Sequence, residues 1–179
     1  DSWTLNYQKA TCSFVGEGFG FSSYIDANKD VLVIKLLQHT DYNIRMPLYF
    51  NQKLDNGGLD YPSYEEIKDG HFRIIKQRYE SNKMFYIFVY ENGNDLYITI
   101  KKKCSINKLK DYLINYSKNE SLNYQKHLEY WSNYFNQSHI ETPDKEINDT
   151  YIKGEYFFAC NSRKKYPMTL HGVWTANND

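Results

Sequence analysis

Asp26-Ala-Asn28-Lys-Asp30 sets three oxygen-bearing side chains at alternate positions, the opening of a calcium loop in which such oxygens converge on one cation. The rest of that loop is missing, because Val31 stands where the turn glycine belongs and Leu37 where the bidentate glutamate belongs. A polar turn between strands is the expectation. The five histidines, His39, His71, His127, His139 and His171, show no short ligand spacing, so a zinc site would need distant elements to assemble it. Any of them can serve as acid or base near neutral pH; His127 and His139 flank an aromatic helix and read as packed or solvated, which leaves His171 in the terminal loop as the better functional candidate. Glu65-Glu66 and the pair Asp144 and Glu146 read as a solvated loop and a charged helix start, since close sequence neighbours point in different directions. Gly16-Glu-Gly18-Phe-Gly20 lacks the later glycine and following helix of a dinucleotide fingerprint and reads as a turn. No metal and no cofactor is expected, and no catalytic residue is assigned.

Composition narrows the classes further. Twenty-two basic and 22 acidic residues cancel, so no global field drives nonspecific binding to nucleic acid or to an anionic membrane; Lys101-Lys102-Lys103 alone is weak support for a nucleic-acid site. At 179 residues the chain has room for one core or two small domains. Eighteen Tyr, ten Phe and three Trp suit pleated half-buried surfaces and stacking on sugars or bases. Cys12, Cys104 and Cys160 form no CxxC clip, leaving room for one long-range disulfide. No apolar run approaches a membrane span, and the N-terminal residues do not read as a signal peptide. Three Asn-x-Ser/Thr triplets, at Asn119, Asn136 and Asn148, are frequent by chance in an Asn-rich chain.

The elements that would position these residues change character near Cys104. Up to that point short β-branched and aromatic runs begin at Trp3, Ala10, Phe19, Val31, Asn43, His71, Met84 and Asp95. Lys83 to Tyr90 and Leu96 to Lys102 flank Asn92-Gly93 and predict a hairpin. Residues 51–70 read as an excursion loop with a short helix near Tyr64 to Ile67. Beyond Cys104 the period is about 3.6. Ser105 caps a helix with Ile106, Leu109, Leu113 and Ile114 on one face. A second helix from Ser121 places Tyr124, Leu128, Trp131 and Phe135 in one stripe. A third has Thr142 as its cap, Pro143 at its first position and a stripe of Ile147, Tyr151, Gly154 and Phe158, ending near Arg163 before Pro167. Gly154 inside it suggests either close helix packing or, equally, a neutral replacement tolerated by drift.

His127-Leu-Glu-Tyr-Trp131 through Phe135 and Ser138, Thr142-Pro-Asp144, Tyr151 to Arg163, and Pro167-Met-Thr-Leu-His-Gly-Val-Trp174-Thr resemble the entry to the catalytic domain of six-hairpin glycosidases. The likeness is closest to the fucosidase-like glycoside hydrolase family 95. It covers about fifty residues, and His171 stands where that family commonly has glutamine before Gly172. The resemblance implies an α+β chain: an antiparallel β-sandwich portion over 1–104, a helical linker over 105–140, and over 141–179 the helix and loop that begin an incomplete (α/α)6 barrel. It further implies a parent enzyme, secreted or periplasmic, that cleaves terminal α-linked sugars, α-L-fucosides among them, with inversion. Inversion needs two carboxyl groups about 6.5–9.5 Å apart, which in that family lie further along the chain, so this chain alone is expected to be inactive.

By the same resemblance His171 and Trp174 lie nearest the barrel mouth, with Trp174 as a sugar-stacking face or, alternatively, buried under neighbouring helices. Asn177, with Thr175 and Asn178, would donate hydrogen bonds to sugar hydroxyls or remain solvated. The implied partners are carbohydrate and the rest of the catalytic barrel or a partner chain, with no nucleic acid and no membrane span. Two other readings stand beside the hydrolase: a noncatalytic carbohydrate-binding β-sandwich module, and an assembly domain using the face of Tyr124, Leu128, Trp131 and Phe135.

Overall fold

Eight strands form one antiparallel sheet in a computed structural model that describes residues 1–37, 64–80, 83–102 and 104–162. The strands are β1 (Ser2–Asn6), β2 (Thr11–Gly16), β3 (Phe19–Ile25), β4 (Leu32–Leu36), β5 (Tyr64–Asp69), β6 (Phe72–Glu80), β7 (Lys83–Asn92) and β8 (Asp95–Lys101). β1 to β4 make one meander and β5 to β8 a second. Pairing of β4 with β8 joins them in the order β1-β2-β3-β4-β8-β7-β6-β5. The expected β7–β8 hairpin is present, with Asn92 opposite Asp95 and Gly93 at φ 63°, the left-handed value that a tight two-residue turn requires. The strand expected from Asn43 lies outside the described residues.

One expectation fails at β5. Tyr64-Glu-Glu-Ile-Lys-Asp is an edge strand, not a helix within a loop. Its charges find partners across the sheet: Arg73 holds Glu66 with Nε at 2.6 Å and Nη2 at 3.0 Å, and Lys76 reaches Glu65 at 3.2 Å. Lys110 reaches Asp69 from the first helix. Charged residues on an edge also discourage pairing with other chains.

Alternation along the strands divides the side chains between two faces. Tyr24, Val33, Tyr97, Tyr90 and Phe72 stand opposite one another across β3, β4, β8, β7 and β6. Three helices follow the sheet: α1 (Ile106–Lys118), α2 (Glu120–Phe135) and α3 (Lys145–Asn161). Leu109, Leu113 and Tyr116 of α1 close over Tyr24, Val33, Ile74, Phe88 and Tyr97 to make the main core. The opposite face is also apolar. Trp3, Phe14, Phe21 and Leu36 run across β1 to β4, and Ile25, Leu32, Ile98 and Val89 across β3, β4, β8 and β7. There Val89 and Leu96 are buried, whereas Trp3, Ile25 and Ile100 each leave more than half of their surface to solvent.

The helices begin close to where the sequence places them, but their faces differ. Ser105 is the extended residue before α1, and α1 and α2 meet at Asn119. The fully buried positions of α2 are Asn123, His127 and Trp131, one polar and one titratable, while Leu128 and Phe135 are only partly covered. Asp144, not Thr142, caps α3: its Oδ1 accepts from the N–H of Glu146 (2.8 Å) and Ile147 (3.4 Å). Thr142 is locked one step earlier by hydrogen bonds with Asn148. The packed side of α3 carries Tyr156 and Ala159, whereas Ile147, Gly154 and Phe158 of the expected stripe are exposed. A Cβ added at Gly154 would meet nothing within 4 Å, so close packing does not explain that glycine.

Candidate functional site

The sequence between β3 and β4, already expected to be a polar turn, organises the junction between sheet and helices. Asp26 is buried, and its Oδ1 accepts from the backbone N–H of Asn28 (2.7 Å) and Lys29 (3.1 Å), an Asx turn. Its Oδ2 accepts from the Tyr116 hydroxyl of α1 at 2.7 Å. Beside it the Tyr24 hydroxyl donates to Glu120 Oε1 at 2.9 Å, and Lys35 approaches the other oxygen of Glu120 at 2.9 Å. Lys29 donates to Asn123 Oδ1 at 2.8 Å and stands 5.2 Å from the Tyr116 ring centre, while Asn123 donates to the Tyr116 carbonyl. The β3–β4 turn, the two strands it joins, the end of α1 and the start of α2 are thereby tied together by charge-assisted bonds, the stronger kind.

Burial keeps the two tyrosines of this junction protonated. Burial pushes the hydroxyls of Tyr24 and Tyr116 well above the ordinary tyrosine range, and for Tyr116 the bond to Asp26 adds to the effect. Both tyrosines are therefore donors throughout the neutral range. With every named polar atom bonded inside the chain, the chemistry available is positioning, not proton transfer to a substrate.

A more open feature lies alongside. Ala27, Asn28, Tyr130, Tyr134, Phe158 and Ser162 line a groove of about 460 Å³ between the β3–β4 turn, α2 and α3. Trp131 belongs to the cluster with Ala27 and Ala159, and its buried Nε1 has no hydrogen-bond partner among the described residues. The Tyr134 hydroxyl bonds the Glu155 carbonyl at 3.4 Å and is raised above its ordinary value by burial. Phenol and phenyl rings thus line the groove beside the amide of Asn28 and the hydroxyl of Ser162.

His171, Trp174 and Asn177, the residues singled out by the resemblance, all lie outside the described residues. His139 is exposed beside Glu141, with Nε2 3.7 Å from its carboxylate. His127, expected to be packed or solvated, is packed and wholly buried. None of the three cysteines forms a disulfide with another described residue, and burial raises the thiol of Cys104. No helix among the described residues is long and apolar enough to cross a membrane. Compared with protein-family models, with curated proteins and with solved structures, the chain finds no match.

Proposed function

We propose that this chain is part of a glycoside hydrolase that cleaves terminal α-linked sugars, α-L-fucosides among them, by inversion, with the acid and base carried on other residues of the parent enzyme. The observation that carries the reading is a sheet and a helix that both keep an apolar side turned outward. A sheet that is apolar on both faces belongs between two layers. Here α1 supplies one layer, and Trp3, Ile25 and Ile100 lie on the side where the second sheet of a β-sandwich would sit. In α3, Ile147 and Phe158 are exposed on the side where the next helices of an (α/α)6 barrel would pack. The order of sheet, linker helices and capped third helix agrees with the resemblance carried by His127 to Trp174. Within that reading His171, Trp174 and Asn177 are the residues that the resemblance assigns to sugar contact.

The test is to sequence the gene on both sides of this segment and to assay both products. The reading expects further strands upstream, about ten more helices downstream, and aryl α-L-fucoside turnover by the whole product but none by these 179 residues. Turnover by these residues alone, or a frame that closes without further helices, contradicts it. The noncatalytic alternative has one observation in its favour, the exposed Trp3 ring lying 4.7 Å from Phe14 on an aromatic platform. Calorimetric sugar binding that is lost on Trp3→Ala and kept on Trp174→Ala would favour that alternative.

A further inference from the structure

His127 makes one ring serve three elements. Its Nδ1 accepts from the backbone N–H of Ala27 in the β3–β4 turn at 3.1 Å. Its Nε2 lies 2.8 Å from the carbonyl oxygen of Lys9 in the β1–β2 turn, and a carbonyl can only accept, so Nε2 carries the proton. Both nitrogens of a neutral ring are thus used, at a position with no exposure to solvent. We propose that His127 is a pH-sensitive latch, closed while its ring is neutral and opened by protonation at Nδ1, which frees the second half of α2 together with α3 from the turns while the sheet stays folded.

Protonation removes the lone pair that Ala27 donates into and turns two N–H groups toward each other. The groups facing the ring fix the balance. Tyr24 of β3 has its ring centre 4.8 Å away, and Tyr124 and Trp131 of α2 lie at 6.0 and 6.5 Å. Lys9 faces it through its carbonyl, and Asp26, next to Ala27, has its carboxylate held by Tyr116, Asn28 and Lys29. The charge on Asp26 attracts an imidazolium and so moves the pH of opening, but it cannot restore the lost acceptor. Opening is local because α3 reaches the rest of the chain through this same corner: Tyr156 packs on Trp131 and Tyr7, and Tyr134 bonds the Glu155 carbonyl. The main core under α1 shares no residue with that cluster.

The experiment is amide hydrogen exchange on the full chain at pH 7.5 and 5.0, corrected for the intrinsic rate. Each pH unit below the ring's titration point should cost about tenfold in protection, over residues 128–135 and 145–161, with β7 and β8 unchanged. His127→Gln, whose amide does not titrate, should remove the pH difference in those helices. Should that variant fail to fold, nitrogen NMR of the wild-type imidazole decides: the Nε2–H tautomer must give way to imidazolium in step with loss of Ala27 amide protection. Protection that is equal at both pH values, loss shared by β7 and β8, or a pH difference that survives in His127→Gln overturns the latch.

Discussion

The hydroxyl of Tyr116 shows how much of this molecule rests on single atoms. It satisfies Oδ2 of a carboxylate that is buried at Asp26, and removing it strands that charge. Tyr116→Phe should therefore destabilise the chain by about 1–3 kcal/mol in urea unfolding, with the slope against denaturant unchanged. The same tyrosines set an alkaline limit. Their folded-state values lie above those of the unfolded chain, so their contribution is complete below pH ~10 and is lost as pH rises beyond it. A thermal series from pH 8 to 11 should show the melting temperature falling above pH ~10, and less steeply in a Tyr24→Phe variant. Little of this was legible in the sequence. Asp26-Ala-Asn-Lys-Asp announced a polar turn, but Tyr116 and Glu120 come about ninety residues later, and no local spacing shows that they return to it. The sequence reads His127 as packed or solvated, but not which turns its two hydrogen bonds reach, because Lys9 and Ala27 lie a hundred residues or more away.

Elements were read best where local chemistry decides them. Gly93 fixed the β7–β8 hairpin, and the change of period after Cys104 fixed α1 and α2. β5 was missed because Tyr-Glu-Glu-Ile-Lys-Asp has no strand-like alternation; it is held by ion pairs with β6 and α1 that only the folded sheet reveals. Arg73 holds the Glu66 carboxyl below its ordinary value through its hydrogen bonds. That contribution is present above the unfolded carboxylate range near pH ~4.3 and is lost as pH falls through the lower folded value. Glu66→Gln should accordingly flatten the acid limb of a stability profile between pH ~5 and 3. On α3 the expected stripe was the more hydrophobic side, yet the chain packs the side of Tyr156 and Ala159 and leaves the other exposed. Gly154 stands in that open side, so Gly154→Ala should stabilise α3 by up to about 1 kcal/mol, measurable as a higher melting temperature.

For the whole molecule, the coarse class was legible and the assembly was not. A strand-rich first part and a helical second part follow from periodicity, whereas the order β4-β8 at the centre of the sheet depends on contacts between remote segments. The residues that resemblance places at a sugar site, His171, Trp174 and Asn177, fall beyond the described helices, so the functional claim rests on the outward apolar faces of the sheet and of α3. The most direct measurement is proton NMR of an aryl α-L-fucoside during hydrolysis by the product of the whole reading frame. The account predicts β-L-fucose as the first sugar to appear, with the α anomer growing in only by mutarotation. First release of α-L-fucose, or no hydrolysis of any α-linked fucoside or galactoside, would contradict it.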